Sequence, residues 1–239
     1  MNRTLSAAIL PLVALPIITA AVVLVFLTMP QQPRPAQYAA ILGLSYLLGS
    51  VPWGYMLLLW RRGVDISEYG SGRTVMSNVL RTGGGKVAGL VLGLDVGKGV
   101  LTVILARTII GTSEAEVAAG LLVLIGHNWP VFLKFRGGRG IATGAGGLAM
   151  IAPISAAVAF IAFLSTTFFS RYLSLGSIIG VVVAFLSLLA LELLGRSSTP
   201  YTLYGFLAGA IIIWQHRDNI RRIREGSEHR LGNPARRLT

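Results

Sequence analysis

The stretch VAGLVLGLDVGKGVLTVILARTIIG, residues 87–111, decides the fold. At 1.5 Å per residue a helix of this length covers about 37 Å, more than the ~30 Å hydrocarbon core of a bilayer. The run is apolar on every side, as a membrane span is and an amphipathic surface helix is not. Asp95 and Lys98 stand three residues apart inside it and share one helical face. Ionisable groups in such a place face a wet cavity or each other, so the pair is either part of a site or an ion pair that locks helix packing. Either Lys98 lies well inside the bilayer, or the start of the run lies flat in the interface.

Working outward, further apolar runs at 7–29, 38–60, 116–135, 144–168, 173–194 and 201–215 suggest helices. No internal repeat is visible. Of the 239 residues 54% are hydrophobic and 13% charged, against about 25% charged in a soluble domain. The expected fold is therefore an all-α integral membrane protein, a polytopic bundle of about seven hydrophobic helices, one of them short or re-entrant. The run from Ala7 to Met29 follows Arg3 and lacks a clear cleavage site, so it is read as a retained helix. With no cysteine, disulfides, thiolate metal sites and a cysteine nucleophile are excluded. The net charge of +12 fits cationic loops on anionic headgroups better than nucleic acid, and no nucleic-acid partner is expected. Three scattered histidines do not suggest a metal site.

Basic residues cluster in three segments. Arg61, Arg62, Arg73, Arg81 and Lys86 lie in 61–86, Lys134, Arg136 and Arg139 in 134–143, and Arg217, Arg221, Arg222, Arg224, Arg230, Arg236 and Arg237 in 216–239. The positive-inside rule places all three in the cytoplasm. Three full crossings between the second segment and the tail would put them on opposite sides, so one apolar run fails to span. The favoured candidate is 201–215, about 22 Å long; the alternative is that Pro153 breaks 144–168 into a re-entrant piece. Pro30, Pro33 and Pro35 mark the first connection, and Thr82-Gly83-Gly84-Gly85 and Gly137-Gly138-Arg139-Gly140 punctuate two later loops.

Two loops have the composition of anion sites. Tyr69-Gly70-Ser71-Gly72-Arg73 precedes Ser77-Asn78-Val79-Leu80-Arg81, setting glycines beside hydroxyls and guanidinium groups. Phe135-Arg136-Gly137-Gly138-Arg139-Gly140-Ile141-Ala142-Thr143 sets a glycine turn before an apolar run, whose N-terminal dipole would attract an anion if Thr143 opens a helix. The second does not fit the nucleotide P-loop pattern. A headgroup-binding loop and a plain interhelical turn are the corresponding structural alternatives. His216 and Asn219, at i and i+3, would offer an imidazole and an amide to one ligand, although a histidine at a helix end often only meets the dipole. His127 reads as a packed core histidine.

Together these segments resemble the PlsY family of bacterial acyl-phosphate:glycerol-3-phosphate acyltransferases. The likeness runs from about Tyr38 to Gly226. Gly49-Ser50-Val51-Pro52 with Asp65 and Gly70-Ser71-Gly72 is similar to the first family motif, and Gly126-His127-Asn128-Trp129-Pro130-Val131-Phe132 continuing into Gly137–Thr143 to the second. His216-Arg217-Asp218-Asn219-Ile220 with Gly226 and Glu228 is similar to the third. Asp95-Val96-Gly97-Lys98-Gly99 also matches a family segment. The first motif departs from its pattern, D-x-R-x-x-G-S-G-N-x-G-A-T-N, with Ser67 for the arginine, Arg73 for the asparagine and Val75 for the glycine. In the second, Arg139 replaces a lysine, which keeps the charge and changes the hydrogen-bonding geometry.

The resemblance implies a membrane enzyme that moves a fatty acyl group from acyl phosphate to the 1-hydroxyl of glycerol 3-phosphate, giving lysophosphatidic acid. It implies no cofactor, a bacterial inner-membrane location with the signature loops facing the cytoplasm, and membrane lipid as a partner; protein partners stay open. Catalytic roles fall on His216, Asn219 and Lys98. Substrate-binding roles fall on Ser50, Gly70, Ser71, Gly72, Arg73, Asn78, Gly137, Gly138, Arg139, Gly140, Thr143 and Glu228, with no metal. The implied layout is an extra N-terminal helix in 1–35, an acyltransferase-like membrane domain in 36–226 and a basic tail in 227–239. The H-x-x-x-x-D motif of another acyltransferase class is absent, since Phe132, Arg221 and Pro234 stand five residues after the three histidines. Two rivals remain at this stage, a family member that binds without turnover and an anionic-solute transporter.

Overall fold

The computed structural model describes residues 3–28 and 34–232. Pro30 and Pro33 of the first connection, and Arg236 and Arg237 of the tail, lie outside the described residues. In chain order the helices are α1 (Arg3–Thr28), α2 (Arg34–Gly49), α3 (Trp53–Arg62), α4 (Met76–Gly83), α5 (Gly85–Ile109), α6 (Ser113–Asn128), α7 (Ile141–Ile151), α8 (Pro153–Ser170), α9 (Leu173–Leu193), α10 (Thr199–Gln215) and α11 (Arg217–Arg224). Short 3₁₀ turns at Ile66–Glu68 and Val131–Leu133 complete the described segments.

Among the described residues, five segments are long and apolar enough to cross a bilayer: Arg34–Arg62, Gly85–Ile109, Ser113–Leu133, Pro153–Ser170 and Leu173–Leu193. Phe168, Phe169, Ile161 and Leu164 stand exposed on α8, which is tolerable only where the surrounding solvent is lipid. The charged pair of α5 is shielded by protein: Asp95 and Lys98 are buried within one continuous helix.

The expected helix over 144–168 is two helices. Ala152 leaves helical geometry at φ −147°, ψ 83°, and Pro153, which has no N–H to continue α7, opens α8 at its first position. This break, and not a short 201–215 segment, resolves the parity of the chain. Ile141, Leu173 and Gln215 lie toward one end of the bundle, with Arg73 donating to Gln215 Oε1 (2.9 Å). At the other end Arg107 binds Glu116 (2.9 and 2.7 Å), the carbonyl of Met150 takes a further Arg107 N–H (2.7 Å), and Tyr201 donates to Glu116 (3.1 Å). α7 thus leaves the first end, α8 returns, α9 leaves and α10 returns, so the 134–140 loop and α11 share an end. The short element is α7, and α10 runs the whole distance. The run 38–60 is likewise interrupted, at Ser50–Pro52, and 116–135 ends its helix at Asn128.

Close crossings fix these helices. A Cβ on Gly49 would lie 2.2 Å from Val123 O, and one on Gly126 2.2 Å from Tyr46 O, so α2 and α6 touch backbone to backbone. Gly99 and Gly146 do the same for α5 and α7, against Thr143 O and Val96 O. Small residues replace the hydrophobic drive that is missing between helices in lipid. Tyr204, 2% exposed, wedges α10 against α6 and α7 and donates to Gly144 O (2.9 Å).

Because the α2–α6 crossing has no slack, Gly126→Ala should cost about 1–3 kcal/mol by overpacking. Gly43→Ala, at a glycine with nothing within 4 Å, should be neutral or mildly stabilising. Thermal unfolding in detergent checks both; a Gly126→Ala midpoint equal to that of the parent chain would refute the crossing.

Candidate active site

The site is built from the end of the bundle where α4, α7, α9, α10 and α11 meet. An apolar cavity of about 350 Å³ lies among α7, α8, α9 and α10, and reaches Arg139, Asp95, His127 and His216. A polar cavity of about 440 Å³ is lined by Ser71, Arg81, Arg139, Asn219, Arg222 and Glu228, with His229 and Arg230 from the tail. Arg139, Ser77, Leu173 and Ser174 line both. An oily tunnel therefore meets a cationic chamber at one guanidinium group.

Arg139 is 8% exposed and its Nε has no hydrogen-bond partner among the described residues. Burial, followed by repulsion from Arg73 and Arg222, pulls its pKa down to about 9, which leaves it charged at neutral pH. Burial also lowers Arg81 and Arg73, against the pull of Glu228 and Asp218 respectively. An anion would relieve this crowding of like charge. Among the described residues the buried Oγ of Ser71 and Oδ1 of Asn219 are also without partners.

Glu228 organises one wall. Its Oε1 accepts from Ser174 Oγ (2.7 Å) and Asn219 Nδ2 (2.7 Å), and its Oε2 accepts from Arg222 Nε (2.8 Å). Burial raises its pKa, but these three bonds and the charge of Arg222 outweigh that and hold it below the usual carboxylate value. With both oxygens engaged, it faces protein groups and not an anion.

His216 follows the last turn of α10, and its Nδ1 lies 2.8 Å from Ile212 O. A carbonyl oxygen only accepts, so Nδ1 carries the proton and Nε2 keeps its lone pair. Burial first, then Arg139, lowers the pKa of this imidazole to about 4, despite the Ile212 bond and Glu228. The neutral form is favoured on folding, so this contribution to stability is present above about 6.5 and is lost as pH falls toward about 4.

Lys98 and Ser50 stand apart from the arginines. The Lys98 ammonium donates to Gly49 O (2.9 Å), Val51 O (3.3 Å) and His127 Nδ1 (2.8 Å), and pairs with Asp95 Oδ1 (2.9 Å). Ser50 is fully buried between those two carbonyls and donates to Tyr46 O (2.9 Å). Asp95 and His127 connect this knot to the wall of the apolar cavity.

The glycine loops owe their composition to the protein's own packing. A Cβ on Gly138 would fall 2.0 Å from His127 Nε2, and one on Gly137 2.2 Å from His127 O, so these residues lie on the end of α6. Gly70 and Gly72 have φ of 57° and 64°, a conformation side chains resist. Asn78 is fully buried and ties the loop together by donating to Tyr69 O (2.9 Å) and Arg73 O (3.1 Å). Gly140 caps α7, whose first turn begins at Ile141, and Thr143 lies inside it against Gly99. Arg222 and Ser174 carry no site reading in the sequence, and Arg81 appears there only as part of the Ser77–Arg81 anion-type segment without an assigned role. The spacing of Asn219 and Arg222, three residues apart on α11, was the one available signal for Arg222.

The profile of the family described as glycerol-3-phosphate acyltransferase matches residues 39–226. Glycerol-3-phosphate acyltransferase 3 of Dehalococcoides mccartyi is 43% identical over 213 residues, covering 84% of this chain and 99% of its own. Glycerol-3-phosphate acyltransferase 2 of Moorella thermoacetica is 42% identical over 188 residues, covering 79% and 94%. Two crystal structures of PlsY, an integral membrane glycerol 3-phosphate acyltransferase, are similar. Its glycerol 3-phosphate form has TM-score 0.75 and 35% identity over 82% of this chain and 96% of that one. Its lysophosphatidic acid form has TM-score 0.73 and 33% identity over 82% and 95%.

In ¹⁵N spectra of histidine-labelled protein, His216 should stay a neutral Nδ1–H tautomer at pH 6 and titrate only toward about 4. Titration near 6.5, or an Nε2–H tautomer, would refute the assignment.

Proposed function

The chain belongs to the glycerol-3-phosphate acyltransferase family, and from that premise we propose that it transfers a fatty acyl group from acyl phosphate to the 1-hydroxyl of glycerol 3-phosphate, giving lysophosphatidic acid. The observation that carries this reading is the meeting of an apolar cavity and an arginine-lined one at Arg139, beside the free Nε2 of His216. One substrate is an anion on a long hydrocarbon, the other a small water-soluble anion, and the two chambers suit them.

An acyl phosphate is a mixed anhydride, activated without an enzyme nucleophile. The 1-hydroxyl oxygen attacks the acyl carbon, the bond from that carbon to the phosphate oxygen breaks, and inorganic phosphate leaves. The hydroxyl proton leaves with the departing phosphate, while His216 Nε2, on the wall of the same apolar cavity, accepts a hydrogen bond from the hydroxyl and orients it for attack. Catalysis is then mainly positioning and charge stabilisation. Arg139, Arg81 and Arg222 hold phosphate oxygens, Ser71 and Asn219 supplement them, and Arg73 adds its charge at the end of α10, by Gln215. Glu228 orients Asn219 and Arg222. Lys98 and Ser50 serve from behind, the ammonium fixing the Ser50–Pro52 break through Gly49 O and Val51 O. Gly137, Gly138, Asn78 and Thr143 shape the loops that carry Arg139 and Ser71.

The layout we favour is an added helix in 1–35, the acyltransferase domain in 36–226 and a basic tail in 227–239. The protein would sit in a bacterial inner membrane, the arginine end facing the cytoplasm.

Purified protein in lipid nanodiscs given palmitoyl phosphate and labelled glycerol 3-phosphate should release lysophosphatidic acid and phosphate in equal amounts. His216→Ala should lower kcat by about 10². Arg139→Gln should raise KM for the anionic substrates about 10–100-fold, the worth of a charged hydrogen bond. Absence of product from the parent chain, or full turnover in His216→Ala, would overturn the assignment.

Lys98→Ala should act on stability before chemistry, because it leaves Asp95 buried without its cation, a loss of about 3–5 kcal/mol. The detergent unfolding midpoint is the measurement. An unchanged midpoint with abolished turnover would return Lys98 to a direct catalytic role.

A further inference from the structure

The polar cavity has walls of two kinds. Three sides belong to helices, with Arg81 on α4, Ser174 on α9, and Asn219 and Arg222 on α11. The fourth side is the stretch from Glu228 to Gly232, every residue of which lines the cavity and none of which is helical. It crosses from the end of α11 to the corner between α8 and α9, where the Leu231 N–H donates to Arg171 O (2.8 Å). Beside that bond the Arg230 guanidinium lies over the Tyr172 ring, 5.9 Å from its centroid, with Nε 3.5 Å from the hydroxyl.

The two ends of this stretch are held unequally. Glu228 is fixed to Ser174, Asn219 and Arg222 and is buried. Past Glu228 the ties among the described residues are the Leu231 bond and the Arg230 contact, and His229, Arg230 and Gly232 are exposed. Ties of these kinds are weak singly where water competes. Gly226 and Gly232 flank the stretch at φ 69° and 98°, a conformation that glycine takes freely. Partial burial, followed by Arg81 and Arg222, lowers the pKa of His229, so the stretch lies over the arginines.

A small anion has to reach those arginines from water. The inner end of the polar cavity meets the apolar one at Arg139, and an anion does not come that way because charge in hydrocarbon is strongly disfavoured. We infer that Glu228–Gly232 is a strap over the arginine chamber, which detaches at its Arg171 and Tyr172 end to admit glycerol 3-phosphate and closes again to hold it during transfer. This rests on the acyl-transfer reading above and extends the site past residue 226, where the family match ends.

The chain has no cysteine, so Arg171→Cys/Leu231→Cys places two thiols at the weak tie, and a short cleavable bis-maleimide locks it. Locked empty in nanodiscs, the protein should lose glycerol 3-phosphate turnover about tenfold or more and regain it on cleavage. Locked after loading, it should carry labelled glycerol 3-phosphate through a desalting column from which the unlocked protein emerges empty. Tyr172→Ala removes the ring under Arg230 and lies outside the chamber lining. It should raise KM for glycerol 3-phosphate about two- to fivefold and leave KM for palmitoyl phosphate unchanged. Arg224→Ala, at an exposed position of α11 outside the lining, should change neither. Full turnover in the empty locked protein, escape of label from the loaded one, or a loss that cleavage does not reverse would overturn the strap. A parent chain that binds and traps the label yet forms no lysophosphatidic acid would instead refute acyl transfer and leave the strap standing.

Discussion

Positive charge held out of water with too few partners is the constraint on which this site depends. Arg73, Arg81, Arg139 and Arg222 converge on one end of a membrane bundle, and the carboxylates among them are Glu228 and Asp218. Such a cluster is unfavourable alone and becomes favourable when an anion enters. Two of the arginines, Arg73 and Arg222, are held by partners within the protein. Glu228 fastens α9, α11 and the tail together, and Gln215 and Asp218 hold Arg73 at the end of α10.

The second tether is internal. Lys98 could have been an anion receptor by charge alone, but four groups already surround its ammonium, and two of them are backbone carbonyls left over from the interruption between α2 and α3. A broken helix in a membrane must satisfy its loose carbonyls, and Lys98 does so while Asp95 compensates its charge. The same knot reaches His127, against which Gly138 lies. Loop 137–140 is thus positioned by α5 and α6 from beneath, and Arg139 is presented to both cavities.

Much of this was legible in the chain. Apolar runs of membrane length, three basic segments and their small-residue surroundings were enough to foresee a helical membrane protein with a cationic end. The expectation that the 134–143 segment and the tail share a side also agrees with the structure. The choice of which run fails to span did not, because length alone ranked 201–215 as the weakest, whereas Pro153 decided the matter through a missing N–H. Glycines were legible as special but not for the right reason. At Gly137 and Gly138 the space a side chain would need is filled by His127, a contact between residues ten or more apart that no local pattern reports. Arg81 was visible as a basic residue, yet its place beside Arg139 and Arg222 exists only once α4 and α11 are brought together.

The departures in the first motif show how a local mismatch can leave the electrostatics intact. Ser67 takes part in a turn on Asp65, whose Oδ1 accepts from its N–H (2.8 Å) and its hydroxyl (2.6 Å), so position 67 serves loop structure at the surface. Arg73, six residues on, follows Gly72 in its left-handed conformation and reaches Gln215 and Asp218 on either side of His216. Its charge is felt by both Arg139 and His216. A guanidinium is therefore delivered to the end of α10 beside His216 from position 73, and the glycine before it is what lets the backbone turn there. Counted by identity the motif is degraded; counted by charge at the site it is not.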